Sequence, residues 1–154
     1  HKNIAELLIS KGANVNGENY LKETPLHLAA ENGHKNVAEL LISKGANVNS
    51  ENDVKDTPLH LAARFGHKNV AELLISKGAN VNSENDVKDT PLHLAARFGD
   101  MSVAKLLIRN GANTGIKNNA NRVPLQIAVN NGHNEVAKLF IGKGNKINIA
   151  EQLE

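Results

Sequence analysis

A 33-residue repeat constrains the fold of this chain more than any other feature of its sequence. The segment 24–30 reads TPLHLAA, and it recurs without change at 57–63 and 90–96. A looser copy, VPLQIAV, occupies 123–129, and residues 34–66 are identical to residues 67–99 at all 33 positions. Self-similarity at a fixed period is typical of proteins built from stacked units, in which each unit contacts only its neighbours.

Each repeat contains the signals for two short helices and a loop. Thr24 can cap the first helix, and Pro25 suits its first turn, where the backbone needs no N–H donor. Gly33 ends this helix, and a second apolar stretch runs to Gly45, which suits a left-handed C-terminal cap. The polar segment 47–55 predicts a hairpin-like loop. Because one such unit cannot bury its apolar face alone, the units are expected to stack into an all-α solenoid.

The core of this stack must be aliphatic. Apolar residues make up 40% of the chain, but aromatic residues make up only 3%. Leu, Ile, Val and Ala suit thin stacked layers better than a wide globule. Among the four aromatic residues, Phe140 replaces a leucine of the second helix, and we predict that it lies in the core.

These features resemble the ankyrin repeat. The period of 33, the motif Thr-Pro-Leu-His-x-Ala and the sequence GHKNVAELLISKGANVN at 33–49 are similar to that family's pattern over essentially the whole chain. The resemblance implies one ankyrin-repeat domain over 1–154, with stacked helix-turn-helix pairs and hairpin-like loops. It divides the chain into a half repeat (1–18), four full repeats (19–51, 52–84, 85–117 and 118–150) and a stub (151–154). Because solenoids need polar terminal repeats and none is recognisable, we expect the chain to be a fragment.

One position departs from the family's pattern. Two residues before the threonine, ankyrin repeats usually have glycine, whereas this chain has Lys22, Lys55, Lys88 and Asn121. Lysine is disfavoured at positive φ, so we expect the backbone of the loop tips to differ slightly from the family's usual turn.

The distribution of charge argues against nucleic acid as a partner. The net charge is +2, and the 18 basic and 16 acidic residues are spread along the chain without a Lys/Arg cluster. No apolar run approaches the roughly 20 residues of a membrane span, so we expect no membrane insertion. The absence of cysteine fits a reducing compartment, and we expect an intracellular, cytoplasmic location. Delivery into a host cell is a further expectation, because abundant Asn, Lys and Ile are typical of A/T-rich microbes and parasites.

Seven histidines raise the question of a metal site. They fall at two positions of the repeat, one holding His27, His60 and His93 and the other His1, His34, His67 and His133. Adjacent layers lie roughly 10 Å apart, which is too far for two imidazoles to share one zinc ion with bonds of about 2.0–2.1 Å. Gln126 and Asp100 occupy the same positions in the remaining repeats. We therefore predict that the histidines hydrogen-bond loops and helix ends, and that the chain has no metal site and no cofactor.

Nothing in the sequence indicates a catalytic centre. The chain contains no G-x-S-x-G, P-loop or G-x-G-x-x-G motif. Its serines and carboxylates recur from unit to unit, whereas an active site is a unique arrangement of residues. We therefore predict that the chain is not an enzyme.

The resemblance to ankyrin repeats implies a partner-binding surface instead, because loop tips and the exposed side of the first helix form the family's concave face. The loop-tip positions in this chain are Tyr20, Leu21, Glu23, Asp53, Val54, Asp56, Asp86, Val87, Asp89, Asn119, Ala120 and Arg122. The first-helix positions are Glu31, Asn32, Arg64, Phe65, Arg97, Phe98, Asn130 and Asn131. Arginine and aromatic side chains are typical anchors of interfaces. We predict that a monomer of this chain binds a protein partner through these residues.

Two alternatives stay open at this point. Phe65 and Phe98 could instead pack beneath the neighbouring loops and never meet a partner. The whole chain could also be a rigid spacer or targeting arm of a larger toxin, effector or enzyme. The variation among the outer repeats favours binding, whereas the identity of the two central repeats slightly favours the spacer.

Overall fold

The computed structural model describes residues 2–141, which form a row of helix pairs. Its helices are α1 (Lys2–Ser10), α2 (Pro25–Glu31), α3 (Lys35–Ser43), α4 (Pro58–Arg64), α5 (Lys68–Ser76), α6 (Pro91–Phe98), α7 (Met101–Arg109), α8 (Pro124–Asn130) and α9 (Asn134–Ile141). No strand occurs between residues 2 and 141, and the predicted all-α solenoid class is confirmed. His1, the end of the fourth repeat (142–150) and the stub (151–154) lie outside the described residues.

The first helix of each repeat begins with a proline and a reciprocal cap. The hydroxyl oxygen of Thr24 accepts the backbone N–H of His27 at 3.4 Å, and the Nδ1 atom of His27 accepts the backbone N–H of Thr24 at 3.0 Å. The same pair of bonds begins α4 and α6. In α8, Val123 has no hydroxyl group, and Gln126 accepts the N–H of Val123 at 2.9 Å. Capping therefore explains why threonine and histidine recur three residues apart.

Glycine is required where the chain passes from the first helix to the second. Gly33 has a φ of +70°, in the left-handed region that favours glycine. A Cβ atom at this position would lie 2.6 Å from Nδ1 of His67 in the next repeat. His67 is held there because its Nε2 atom donates a hydrogen bond to the carbonyl oxygen of Glu31 at 2.9 Å. Both the turn and the contact between layers therefore exclude a side chain at Gly33.

The helices pack in two rows around an aliphatic core. Each of α2, α4 and α6 contacts the next first helix, and α1, α3, α5 and α7 form the second row with α9. Leu26, Leu59 and Leu92 are completely buried at the same position of three successive first helices. Alanines at 30, 63 and 96 are also completely buried, and their small side chains allow the helices to approach closely. Phe140 is 3% exposed, which confirms its prediction as a core residue.

Hydrogen bonds from histidine side chains connect each repeat to the next. The Nε2 atom of His27 donates to the carbonyl oxygen of Asp56 at 2.9 Å. His60 and His93 make the same bond to the loops of the following repeats, at 2.9 and 3.0 Å. These contacts confirm the predicted role of the histidines between repeats. Asp100 stands where a histidine stands in other repeats, and it caps α7 by accepting a backbone N–H at 2.8 Å.

Deleting residues 67–99 is expected to lower the stability of the stack while preserving its fold. The deletion keeps the repeat frame, because residues 34–66 have the identical sequence. It removes one repeat and one interface between layers, and about 2–5 kcal/mol of unfolding free energy is expected for 33 residues. Denaturant melts should show a lower midpoint with an unchanged helical circular dichroism signal per residue. A third copy of 67–99 should raise the midpoint, and an unchanged midpoint in both variants would refute strong coupling between layers.

Candidate functional site

The loop tips are tight hairpin turns that an asparagine side chain holds in place. In the second loop, the N–H of Lys55 donates to the carbonyl oxygen of Asn52, and the N–H of Asn52 donates to that of Asp56, both at 3.0 Å. The Oδ1 atom of Asn52 accepts the N–H groups of Val54 at 3.1 Å and Asp56 at 2.9 Å. Asn19, Asn85 and Asn118 hold the other tips in the same way.

The expectation that lysine changes the backbone of these tips is wrong. Lys22, Lys55 and Lys88 have φ values of +59°, +62° and +59°, and Asn121 has +61°. These are left-handed conformations of the kind that glycine adopts easily and other residues adopt at a cost of about 1–2 kcal/mol. The two hydrogen bonds to each asparagine Oδ1 atom offset that cost, so the turn keeps its shape with a lysine in it.

The four tips form a continuous row. The N–H of Asp53 donates to the carbonyl oxygen of Leu21 at 3.0 Å, and the N–H of Asp86 donates to that of Val54 at 3.0 Å. The N–H of Asn119 continues the row by donating to the carbonyl oxygen of the third tip at 2.9 Å. Each tip is thus placed by its neighbour, and the side chains at equivalent positions follow one another along the stack.

Most of the predicted tip residues are accessible to a partner. Tyr20 is 93% exposed, and the aliphatic side chains of Leu21, Val54 and Val87 are 40%, 45% and 52% exposed. The exposed polar and small residues at the tips are Asp53, Asp86, Asn119 and Ala120. Glu23 and Arg122 are partly buried.

Two predicted contact residues, Asp56 and Asp89, are not accessible, and the prediction that they face a partner is wrong. Their exposures are 0% and 2%. One carboxylate oxygen of Asp56 accepts a hydrogen bond from Nη2 of Arg64 at 3.0 Å, and the other accepts one from Nδ2 of Asn85 at 2.8 Å. Asp89 repeats both bonds with the arginine and asparagine one repeat later, at 2.7 and 2.8 Å. These carboxylates connect a helix end, their own loop and the next loop.

The ion pairs hold a partly exposed ledge beside the tips. We use the term Arg–Phe ledge for Arg64, Phe65, Arg97 and Phe98. The arginine side chains are 32% and 35% exposed, and the phenylalanine residues are 47% and 53% exposed. The rings are therefore neither buried in the core nor fully free in solvent. Because each arginine is paired to the aspartate at the base of its own loop, the ledge and the tips form one surface.

The predicted positions on either side of the ledge are more polar. Glu31 is partly buried, and Asn32, Asn130 and Asn131 are exposed. The side-chain amide of Asn32 donates to the carbonyl oxygen of Leu28 at 2.8 Å, and that of Asn131 makes the equivalent bond at the end of α8. Asn32 and Asn131 are thus helix-capping residues as well as members of the surface.

The buried network of Asp, Arg and Asn was missed in the sequence. Its signal is the recurrence of aspartate eight residues before arginine in the two central repeats, at 56 and 64 and at 89 and 97. The fourth repeat changes both positions together, to Arg122 and Asn130. The first repeat has Glu23 and Glu31 there, so the repeats alone do not show that these two side chains are in contact.

Comparison with known proteins identifies the family. A family model described as ankyrin repeats (3 copies) matches residues 1–85 and again residues 82–151. The chain belongs to the ankyrin-repeat family. A search of curated proteins finds no significant match. Ankyrin repeats are generally non-catalytic modules of protein–protein interaction. Among residues 2–141, no helix of this ankyrin stack is long and apolar enough to cross a membrane.

The buried histidines of the ankyrin stack use both ring nitrogens in hydrogen bonds within the fold. Nδ1 of His60 accepts the backbone N–H of Thr57 at 3.0 Å while its Nε2 donates to the carbonyl oxygen of Asp89. This pattern requires the neutral ring with its proton on Nε2. Burial lowers the pKa of His27, His60 and His93 below the ordinary value of 6.5, because a charged imidazolium would lose its hydration. In the part of the chain that the structure describes, no three His, Asp or Glu side chains converge as metal ligands.

Acid should therefore destabilise the ankyrin stack as the pH falls below 6.5. Below pH 6.5 the unfolded chain takes up protons at His27, His60 and His93, whereas the folded chain does not until their lowered pKa values are reached. The contribution of these three histidines to the free energy of unfolding is thus fully present above pH 6.5, and it is lost as the pH falls towards their lowered pKa values. The loss is at most about 1.4 kcal/mol per pH unit for each histidine, or about 4 for three.

Urea melts at pH 7, 6 and 5 would measure this dependence. His60→Gln is the matched variant, because Gln126 occupies the same position in the fourth repeat. It should reduce the pH dependence, since one of the three buried histidines is removed. A free energy of unfolding that stays constant from pH 7 to pH 5 would contradict the assignment of neutral buried histidines.

Proposed function

We propose that this ankyrin stack binds a partner protein through its loop tips and the Arg–Phe ledge. The observation that carries the proposal is the half-exposed state of Phe65 and Phe98, which are 47% and 53% exposed in two successive layers. Large apolar groups that stay in solvent at equivalent positions form a patch, and such patches usually mark interaction sites. Arginine and aromatic side chains at the centre of an interface carry a large share of its binding energy.

Ion pairs hold the two arginines of the Arg–Phe ledge in place in the unbound protein. Arg64 is held by Asp56 at 3.0 Å, and Arg97 is held by Asp89 at 2.7 Å. A side chain that is already ordered loses less conformational entropy when it enters an interface. The buried aspartates therefore support binding indirectly, by positioning the arginines, and they are not themselves contact residues in this proposal.

The proposed contact residues follow the exposed surface. They are Tyr20, Leu21, Glu23, Glu31, Asn32, Asp53, Val54, Arg64, Phe65, Asp86, Val87, Arg97, Phe98, Asn119, Arg122, Asn130 and Asn131. In this proposal the binding unit is a monomer that performs no catalysis itself. A cytoplasmic location and delivery into a host cell stay predictions from the sequence.

A rigid spacer or targeting arm is the second candidate function. The identity of residues 34–66 and 67–99 favours it, because a spacer needs length and regularity rather than a varied surface. A spacer does not require aromatic rings in solvent, and this is why we prefer the binding function. A catalytic or membrane domain encoded beside this segment in the full-length gene would favour the spacer.

Affinity capture with a matched control tests the proposal. The wild-type domain and the Phe65→Ala/Phe98→Ala variant are immobilised at equal density and exposed to lysates of the source organism and of candidate host cells. Quantitative mass spectrometry should find a protein that is enriched at least tenfold on the wild-type domain relative to the variant. Equal recovery of every captured protein on both baits would contradict binding through the ledge.

A further inference from the structure

The four loop tips differ in the sign of their charge. The first tip (18–23) carries Glu18 and Glu23 against one lysine, for a net charge of −1. The second and third tips (51–56 and 84–89) share the sequence ENDVKD, for a net charge of −2 each. The fourth tip (117–122) reads KNNANR and has a net charge of +2. We refer to the first three as the acidic tips and to the fourth as the basic tip.

Burial of two aspartates changes the size of these charges but not their order. Asp56 and Asp89 are buried against the arginines of the ledge, so each of these pairs is close to neutral towards solvent. The exposed charges of the second and third tips are then one lysine against a glutamate and an aspartate, which leaves −1 each. Partly buried Glu31 adds a negative charge beside the first tip, and Lys117 is exposed in the basic tip.

Binding of a partner should depend on the order of the acidic and basic tips along the stack and not only on their total charge. Adjacent layers of an ankyrin stack lie roughly 10 Å apart, whereas charges in solution are screened over about 8 Å at physiological ionic strength. Each tip therefore acts mainly on the group of the partner that lies over it. The tips keep a fixed order because each is hydrogen-bonded to its neighbour, as Asp53 is to Leu21 at 3.0 Å.

From this charge order we infer that the partner presents a single polypeptide segment with two kinds of charge. The segment is basic where it crosses the three acidic tips, and it carries acidic side chains at the end that lies over the basic tip. It places apolar side chains over Phe65 and Phe98, which lie one repeat apart, beside the second and third tips. A nucleic acid does not fit this surface, because three of the four tips would repel its phosphates.

This inference rests on the proposed function, and synthetic peptides can test it without knowledge of the natural partner. The block probe is a helical peptide with two leucines seven residues apart, lysines around them and two glutamates at one end. Seven residues of helix span about 10.5 Å, which matches the separation of the layers. A uniform probe replaces the two glutamates with lysines, and an inverted probe exchanges every lysine for glutamate and every glutamate for lysine.

The chain also provides a matched protein variant. Lys117→Glu with Asn119→Asp gives the fourth tip the residues that the second and third tips have at these positions, and its net charge changes from +2 to −1. Arg122 is left unchanged, because it is partly buried, whereas Lys117 and Asn119 are exposed. Circular dichroism and a urea melt verify that the variant is folded.

Fluorescence anisotropy measures binding of each labelled probe at 50 mM and 300 mM salt. We expect the block probe to bind the wild-type domain at least tenfold more tightly than the inverted probe at 50 mM salt, with a smaller ratio at 300 mM. The wild-type domain should prefer the block probe to the uniform probe, and the tip variant should reverse that preference. The inference is overturned if the inverted probe binds as well as the block probe, if no probe binds at 1 mM, or if the tip variant leaves the preference unchanged.

The test of the charge order can be distinguished from the test of binding through the Arg–Phe ledge. A protein from lysate that is retained by the wild-type domain and by the tip variant alike, but lost from the Phe65→Ala/Phe98→Ala bait, would support binding through the ledge and refute the charge order. A protein that is retained equally by the tip variant and by the Phe65→Ala/Phe98→Ala bait would refute both binding through the ledge and the charge order.

Discussion

Asp56→Ala is expected to lower the free energy of unfolding by about 2–3 kcal/mol, although Asp56 lies in a loop. The alanine would leave Nη2 of Arg64 and Nδ2 of Asn85 without their acceptor, and both atoms now lie within 3.0 Å of the carboxylate. Removing one partner of a fully buried ion pair costs about 3–5 kcal/mol. The arginine side chain is 32% exposed and can regain some water, so the expected loss is smaller.

Asp53→Ala is the control for this effect. Asp53 is the same residue type in the same loop, but it is exposed, and its change should alter stability by less than about 0.5 kcal/mol. Asp56→Asn keeps the shape of the side chain and one acceptor oxygen. Its loss of unfolding free energy should fall between those of Asp53→Ala and Asp56→Ala. Urea melts of the three variants measure the differences. Equal small losses for Asp53→Ala and Asp56→Ala would mean that the buried network contributes no more to stability than a surface charge.

The contrast between Asp53 and Asp56 shows where sequence analysis reached its limit. The resemblance to ankyrin repeats assigned both residues to the same loop tip, and the structure places both of them in that tip. Which carboxylate turns inward depends on the path of a turn that closes between Asn52 and Asp56, and on Asn85 arriving from the next repeat. A contact between two loops 29 residues apart does not follow from the composition of either loop.

Lys55 illustrates a different limit. The intrinsic preference of lysine against positive φ predicted a modified tip, but the structure keeps φ at +62°. Local preference was outweighed by the hydrogen bonds that the side chain of Asn52 makes to the backbone on both sides of Lys55. The recurrence of asparagine at 19, 52, 85 and 118 in the sequence was the available sign of this compensation.

The helices and the histidine contacts were predictable because their causes are local or repeated. Proline after threonine, with histidine two residues later, specifies a capped helix start wherever it occurs, and three copies of this signal share one spacing. The candidate binding surface is a harder problem. Its residues could be assigned through the resemblance to ankyrin repeats, but the exposure of Phe65 and Phe98 depends on how neighbouring layers cover them.

Replacing the two rings of the ledge is expected to weaken binding of a partner more than tenfold. In Phe65→Ala/Phe98→Ala the central apolar surface is removed from two successive layers while the paired arginines stay in place. A tenfold loss corresponds to about 1.4 kcal/mol, which is modest beside the 2 kcal/mol or more of a typical hot spot. Calorimetry with a captured partner measures the loss.

Stability measurements separate this effect from unfolding. Each ring is about half exposed, at 47% and 53%, so each change should cost less than the roughly 3–5 kcal/mol that a buried phenylalanine loses on truncation to alanine. Asp53→Ala with Asp86→Ala is the control at the tips, and it should change mainly the association rate and its dependence on salt. Phe65→Leu with Phe98→Leu preserves apolar volume without the aromatic ring. If the alanine pair unfolds the domain while the leucine pair leaves affinity intact, the rings are part of the core packing, and the ledge is not the anchor of the interface.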